Sequence, residues 1–302
     1  MNLLYILLLP LLFINVYSYA DDVNLNKKIT ECNQLVKSGN EEKALEYTAQ
    51  LLKQNKPERD IFLCQSRAQM SLRRFADAVI SLKSVDQLSI LPNDHMMALA
   101  MLGNAYKGNN QFNEAIGAYE LSLNIAITLK NTSFQRITHG LIGDVQSNTK
   151  QFDEAVTSYQ AAIKLSLNDN ERADAFEHLA SIFSQQQKYN LAIEYQLKAT
   201  LAYTHYGDLD SQANSGLELG RIYMEAGEYE QAEKSINKIL KLASDNGGPY
   251  WEAKSNLLMA RLRLSERQNP QSYIDASLRI NKELNDASLK DDIAAVLGMV
   301  SQ

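Results

Sequence analysis

Hydrophobic and polar positions follow a helical period along most of the chain, and the pattern recurs. The stretches "QFNEAIGAYE" (111–120) and "QFDEAVTSYQ" (151–160) place apolar residues on one helix face directly after a polar turn. Related stretches are "GNEEKALEYT" (39–48), "RFADAVISL" (74–82), "KYNLAIEYQ" (188–196) and "EYEQAEKSI" (228–236). The pattern therefore predicts a series of similar amphipathic helices.

Every one of these stretches contains an alanine at the same place, and another small residue precedes it by twelve positions. The alanines are Ala44, Ala78, Ala115, Ala155, Ala192 and Ala232. The preceding small residues are Cys32, Ser66, Gly103, Gly143, Ala180 and Gly220. This constant spacing predicts a helical hairpin whose backbones approach closely, with turns such as "GNN" (108–110) between the helices. The step from Ala44 to Ala78 is the shortest, and the extra positions of the later steps fall between hairpins, which predicts lengthened helices and not inserted domains.

The residues around these positions resemble tetratricopeptide repeats, which carry Leu-Gly and Tyr on the first helix and Ala with an aromatic on the second. "LGNAY" (102–106), "LGRIY" (219–223) and "LASIF" (179–183) follow the first half of that pattern. Six units match, and Ala260, which follows Gly220 by one long step, indicates a seventh in which Ser272 follows twelve positions later. The resemblance implies an all-α fold, a right-handed α-solenoid of antiparallel helix pairs with about six to seven repeats. It would occupy residues 25–284 without an internal boundary, and a capping helix would cover its end at residues 285–302.

The first twenty residues differ from all that follow. "LLYILLLPLLFINV" (3–16) is almost entirely apolar, and "YSYA" (17–20) ends the stretch with small residues. An apolar run of about 14 residues, interrupted by Pro10, is shorter than the roughly 20 residues of a membrane-spanning helix. We therefore interpret residues 1–20 as a cleaved signal peptide. The expected protein is exported, of bacterial type, periplasmic or alternatively extracellular, and the mature chain does not insert into a membrane.

Composition and motifs exclude several classes of function. The chain has 302 residues, 45% of them hydrophobic, a net charge of −6 and no basic run, which argues against a nucleic-acid partner. Neither a Gly-rich phosphate loop nor a Gly-x-Ser-x-Gly elbow occurs. The histidines form no His-x-x-x-His pair, and they are His95, His139, His178 and His205. We therefore predict no enzyme activity, no metal site and no cofactor.

The two cysteines lie on the first helices of the first two units. In an oxidising compartment Cys32 and Cys64 would be able to form a disulfide that closes the chain between them into a loop. On the chain-entropy model such a bridge stabilises by roughly 3–4 kcal/mol. In the alternative, Cys32 fills the small-residue position and Cys64 packs nearby as a thiol. The sequence leaves both alternatives open.

The resemblance implies a concave surface, lined by the first helix of each unit, that captures a peptide or protein segment. The residue after each small residue faces this surface, and Lys107 lies one turn further along its helix. The predicted binding residues are Asn33, Arg67, Asn104, Lys107, Asp144, Ser181 and Arg221. They do not supply the successive Lys, Arg and Asn residues that chaperone-tail binding in this family needs.

Two hypotheses of function follow from the export signal and the predicted surface. In the first, an exported scaffold or adaptor binds another protein or peptide in its concave groove and supports an envelope or secretion assembly. In the second, the chain is a ligand- or peptide-sensing component of a signalling or regulatory system. An isoelectric point near 5.4 further predicts a partner with basic segments, whose binding weakens with salt.

Overall fold

A computed structural model of the protein describes residues 25–54 and 57–300, which form fifteen α-helices. The first helix, α1, covers residues 25–37. The others are α2 (Glu41–Gln54), α3 (Arg59–Ser71), α4 (Phe75–Leu88), α5 (Pro92–Gly108), α6 (Phe112–Thr128), α7 (Thr132–Asn148), α8 (Phe152–Leu165), α9 (Asp169–Gln185), α10 (Tyr189–Tyr206), α11 (Leu209–Glu225), α12 (Tyr229–Asp245), α13 (Pro249–Ser265), α14 (Gln271–Leu284) and α15 (Ala287–Val300). The predicted all-α fold of antiparallel helix pairs is confirmed. The predicted signal peptide, residues 1–20, lies outside the described residues.

The helices group into two compact units, although the repeat pattern predicts an array without an internal boundary. Unit 1 ends at Phe134, and unit 2 begins at Gln135 within α7. Unit 1 contains the hairpins α1–α2, α3–α4 and α5–α6. Unit 2 contains α7–α8, α9–α10, α11–α12 and α13–α14, followed by α15. In the part of the chain that the structure describes, no helix is both long and apolar enough to cross a bilayer.

Helix length explains the unequal steps between repeats. The shortest step, which begins at Ala44, contains α2 and α3, and these helices have 14 and 13 residues. The two longest steps, which begin at Ala115 and Ala192, contain helices of 17 or 18 residues, namely α6 with α7 and α10 with α11. Each additional turn of helix adds three or four residues. The prediction of lengthened helices without inserted domains is therefore confirmed.

The small residues leave room for large ones. All six alanines of the pattern are fully buried. A Cβ added to Gly103 would lie 2.4 Å from the ring of Tyr119, and one added to Gly143 would lie 2.9 Å from the ring of Tyr159. Both tyrosines are almost completely buried one turn after the alanine. Glycine on the first helix is thus required by the aromatic ring on the second.

The turn inside each hairpin holds one residue in the left-handed backbone region, five positions before the alanine. Glycine occupies it in two hairpins, at Gly39 (φ 72°) and Gly227 (φ 79°), because glycine meets no Cβ penalty there. Side-chain-bearing residues occupy it in four others, namely Arg73, Asn110, Lys150 and Gln187, and Arg267 is the left-handed residue in the turn of the seventh hairpin. The backbone closes the turn in the same way in each case. In the third hairpin, for example, the amide of Gln111 donates to the carbonyl of Tyr106 at 2.9 Å.

The seventh hairpin departs from the predicted spacing. Five residues separate α13 from α14, where three separate α11 from α12. Ser272, predicted to pair with Ala260, is exposed, and the fully buried Ile274 takes the fourth position of α14 instead. The final helix, α15, then packs Leu289 and Ile293 against α13 and α14, as expected of a capping helix.

Candidate binding site

The first two repeats of unit 1 are joined covalently. A disulfide links Cys32 on α1 to Cys64 on α3, with 6.3 Å between their Cα atoms. Both cysteines are fully buried. Of the two alternatives that the sequence leaves open, the structure contains the bridge.

Two predicted binding residues of unit 1 bond to each other beside this disulfide. The Nη1 of Arg67 donates to the Oδ1 of Asn33 at 2.8 Å, and the Nδ2 of Asn33 donates to the carbonyl of Ile29 at 3.0 Å. Arg74 also pairs with Glu42 at 2.6 Å. These contacts connect the first two repeats, so the polar side chains predicted to bind a partner are used within the fold.

The next predicted residues accept hydrogen bonds from the buried tyrosines of the second helices. The hydroxyl of Tyr119 donates to Asn104 at 2.7 Å in unit 1, and that of Tyr159 donates to Asp144 at 2.8 Å in unit 2. Burial, together with the charge of Asp144, raises the pKa of Tyr159, which keeps the phenol protonated as a donor. Lys107 is half-buried on α5. Asn104 and Asp144 thus orient a core tyrosine in addition to lining the surface.

Ser181 and Arg221, the remaining predicted residues, lie half-buried on α9 and α11. Ser181 accepts a long hydrogen bond of 3.4 Å from Gln185. Arg221 binds Glu218 and Glu225 on its own helix. The hydrogen bond to Glu218, strengthened by both carboxylate charges, raises the pKa of Arg221 against the opposing effect of burial. The guanidinium of Arg221 is therefore held by two carboxylates before any partner binds.

A polar pocket of about 160 Å³ lies among α7, α8 and α9 of unit 2. Its walls include Asp144, Tyr159 and Asp174, and we call it the α7–α9 pocket. Beside it, His178 stacks on the ring of Tyr159 at 4.9 Å between centroids, with its Nε2 3.5 Å from Asp174 and 3.6 Å from Asp144. Burial alone would lower the pKa of His178, but the hydrogen bond to Asp174 and the nearby carboxylates raise it.

A larger cavity of about 240 Å³ lies among α11, α13 and α15 of unit 2, and we call it the C-terminal cleft. Its apolar floor consists of buried side chains, namely Leu217, Leu257, Leu258 and Val296. Met299 extends this apolar surface outward, with 47% of its area exposed. Trp251 forms part of the wall, and its indole nitrogen donates to Asp210 at 2.6 Å. The C-terminal cleft therefore presents a concavity with an apolar floor.

Charged residues surround this apolar floor, and their pairing is unequal. Lys254 contacts Asp292 at 2.7 Å, which connects α13 to α15, and Arg221 is held by Glu218. Arg261 also lines the cleft and is exposed. Across residues 25–54 and 57–300, no carboxylate lies within ion-pair distance of the Arg261 guanidinium. Three cations and two carboxylates therefore line the cleft, and Glu225 outside it supplies a further carboxylate to Arg221, so that Arg261 is the lining cation without an ion pair among the described residues.

Two protein-family models match the repeats. Residues 138–169, 173–204 and 217–246 match a family model described as tetratricopeptide repeat, and residues 98–132 match a second model with that description. The chain contains tetratricopeptide repeats. No curated protein matches it.

Solved structures with tetratricopeptide-like folds resemble the chain at low identity. The apo form of RapI superposes with a TM-score of 0.68 at 15% identity, covering 92% of this chain and 82% of RapI. The quorum sensor NprR from B. thuringiensis gives 0.64 at 15% identity, covering 91% and 86% of the two chains. PH0952 from Pyrococcus horikoshii, a signal-transduction ATPase with a tetratricopeptide repeat sensor, gives 0.69 at 17% identity, covering 89% of this chain and 44% of PH0952. Such similarity establishes the fold alone.

The tetratricopeptide pattern in the sequence indicates one residue of the C-terminal cleft but not the others. Arg261 directly follows Ala260, the small residue of the seventh repeat, so the rule that selects Arg221 also selects Arg261. Met299 and Asp292 had no such signal, because α15 carries none of the repeat's marker residues. Among the described residues, no group of three or more His, Cys, Asp or Glu side chains is arranged to hold a metal ion.

Proposed function

We propose that the protein is an exported adaptor that binds a segment of another protein in the C-terminal cleft of unit 2. The observation that carries this proposal is the apolar floor of Leu217, Leu257 and Leu258 surrounded by charged side chains. Apolar pockets with a few convergent polar groups are the usual form of binding sites. Tetratricopeptide repeats are typically non-catalytic interaction scaffolds, and extended repeat arrays present such surfaces to partners.

The size of the cleft supports a polypeptide ligand. Small-molecule and cofactor sites usually enclose about 300–1,000 Å³. A cavity of about 240 Å³ that opens beside Met299 suits one or two side chains of a longer segment. The main chain of that segment would then lie along the first helices of unit 2, where Asn214 on α11 offers an exposed amide.

Two features support export. The apolar stretch at residues 3–16 has the pattern of a signal peptide, and the Cys32–Cys64 disulfide is of a kind that persists in oxidising compartments. In a bacterial cell the expected location is the periplasm, with the extracellular space as the alternative. There the adaptor would support an envelope or secretion assembly.

A sensing role is the second candidate function. NprR is described as a quorum sensor and PH0952 as having a tetratricopeptide repeat sensor, and both share the fold of this chain. In that role the same cleft would bind a peptide signal, and a separate protein would transmit the result. A partner that contacts the cleft without passing a signal onward favours the adaptor.

Site-specific photocrosslinking in the native cell tests the proposal. A photoreactive residue replaces Met299 in the cleft. In a matched control it replaces Lys164, which is exposed on α8, the second helix of its hairpin. The proposal expects one protein partner captured from position 299 and not from position 164, in the envelope fraction, with the mature chain beginning at Asp21. Equal capture from both positions, or a chain retained in the cytoplasm with its first twenty residues, would contradict it.

A further inference from the structure

We propose that the C-terminal cleft selects segments in which an acidic side chain lies next to an apolar one, and that Arg261 recognises the acidic side chain. This inference rests on the proposed function and specifies the chemistry of its partner. It assigns the apolar side chain to the floor of the cleft and the carboxylate to the Arg261 guanidinium.

The apolar floor determines which type of side chain the cavity accepts. Leu257 is 4% exposed, and Leu217 and Leu258 are each 8% exposed, so little of their surface contacts solvent except through the cavity itself. An apolar side chain that fills the cavity is removed from water, and the gain in binding free energy grows with the apolar area that it buries. A polar side chain placed there would lose its hydration without gaining a partner.

The charged residues around the floor determine which type of side chain the ligand carries next to the apolar one. Lys254 is neutralised by Asp292, and Arg221 is held by Glu218 and Glu225. Arg261 is the lining cation for which the described chain supplies no carboxylate. A guanidinium has five donors in a planar arrangement that matches a carboxylate in bidentate fashion. Charge complementarity therefore favours a partner that brings its own carboxylate to this point.

This local preference runs against the charge of the whole protein. The net charge of −6 predicts a partner with basic segments, and the α7–α9 pocket, in whose wall Asp144, Glu171 and Asp174 outnumber Arg136, would attract a basic side chain. An acidic side chain is therefore disfavoured at the α7–α9 pocket and favoured at Arg261. Opposite preferences within one unit are a means of fixing which segment binds where.

A panel of blocked peptides tests this inference on the purified chain. Fluorescein-labelled octapeptides with a central Leu-Leu pair are flanked by Glu, Gln or Lys, and both termini are blocked so that no terminal carboxylate contributes. Fluorescence anisotropy at low salt measures the dissociation constants. We expect the Glu peptide to bind at least about tenfold more tightly than the Lys peptide, with the difference shrinking as salt rises.

Variants of Arg261 make the test specific. R261Q should abolish the preference for Glu, and R261E should invert it, so that the Lys peptide binds R261E more tightly than the Glu peptide. The matched control is R279E, which reverses an exposed charge on α14 outside the cleft and should keep the preference for Glu. Because Arg261 is exposed, thermal unfolding of its variants should match that of the natural chain.

The outcomes separate the two proposals. If the peptides bind but the preference is absent, is for Lys, or survives R261E, the acidic ligand class is wrong and the binding cleft remains. If none of the three peptides binds, while photocrosslinking at position 299 captures a partner, the ligand chemistry is again wrong. If neither peptide binding nor crosslinking occurs, both proposals are wrong.

Discussion

Units 1 and 2 use the same repeat position in different ways. In unit 1, the residues after the small positions bond within the fold: Arg67 to Asn33, and Tyr119 to Asn104. The disulfide lies directly beside the first of these contacts. In unit 2, the equivalent residue of the last repeat, Arg261, has no ion pair among the described residues and lines the same cleft as the apolar floor. At this position unit 1 bonds within the fold throughout, whereas in unit 2 Asp144 and Arg221 do so and Arg261 does not.

This difference shows that exposure on a predicted binding face is not sufficient for a binding role. Asn33, Asn104 and Asp144 occupy the expected face, yet each accepts a hydrogen bond from another repeat or from the second helix. A residue whose polar atoms are satisfied within the fold gains less from a partner, since a new bond must replace an existing one. A charged side chain that has no ion pair within the fold is the better guide to function.

Removal of the disulfide should have the largest effect, and only on unit 1. Cys32→Ala with Cys64→Ala should lower the free energy of unfolding of unit 1 by roughly 3–4 kcal/mol, because the bridge closes a long loop of chain. Alanine suits the small-residue position at 32, so cavity formation adds little there. Urea unfolding, with and without reductant, measures the loss. An unchanged midpoint, or loss of peptide binding at the cleft of unit 2, would contradict the separation of roles.

A comparable change in unit 2 should come from Arg263, whose side chain is 13% exposed. It pairs with Glu266 at 2.6 Å and with Glu233 on α12, and it lies over the ring of Tyr273. Arg263→Met keeps the length of the side chain but leaves two carboxylates without their cation, at a cost of about 2–3 kcal/mol. Arg279→Met, at an exposed site on α14, should change stability by less than about 0.5 kcal/mol. Equal effects of the two substitutions in thermal unfolding would show that the ion pairs of Arg263 are unimportant.

A matched pair of glycines tests the packing rule that both units share. Gly103→Ala places a methyl 2.4 Å from the Tyr119 ring and should destabilise by about 1–3 kcal/mol. Gly117→Ala, on α6 of the same hairpin, meets nothing within 4 Å and should stabilise by about 0.5–1 kcal/mol, because alanine favours helix. Denaturant unfolding of the two variants should therefore move in opposite directions. A loss in both would show that the tyrosine ring is not what requires glycine at 103.

The smallest predicted effect concerns pH and is confined to unit 2. Protonated His178 faces Asp174 and Glu177 on its own helix and Asp144 on α7, and it stacks on Tyr159 of α8. Its pKa is raised above 6.5, so its stabilising contribution is full below that pH and is lost as pH rises through the raised pKa. His178→Gln should thus reduce the melting temperature most at low pH. A gap between the two proteins that widens with rising pH would contradict this sign.

Sequence reasoning reached the hairpins because their signal is local. The twelve positions from Gly103 to Ala115 span only one turn and the two helix ends beside it, so their spacing in the sequence directly indicates the hairpin. The spacing places Ser272 at the position that Ile274 takes, because the two additional residues in the turn before α14 leave no mark in the alanine pattern. The backbone of Lys150 was equally hard to predict, because a lysine does not indicate the left-handed conformation that this turn residue adopts.

The candidate site was less predictable than the fold for a physical reason. Which side chain bonds to which depends on how neighbouring helices are rotated about their axes, and a single sequence does not state that rotation. Arg67 and Asn33, a full repeat apart in the chain, meet only because α1 and α3 stack. The cleft likewise requires α15 to bring Met299 to the cavity that Leu217 and Arg261 also line, although no repeat motif marks α15.

Methyl NMR of methionine most directly tests the central claim, that the binding surface lies in unit 2 and not in unit 1. The chain has eight methionines, among them Met299 in the C-terminal cleft and Met97, 52% exposed on α5 of unit 1. With ¹³C-methyl methionine and assignment by Met→Leu substitution, titration of the Glu-flanked peptide should shift the Met299 signal and leave that of Met97 unchanged. A shift at Met97 without one at Met299 would place binding in unit 1 and contradict the account.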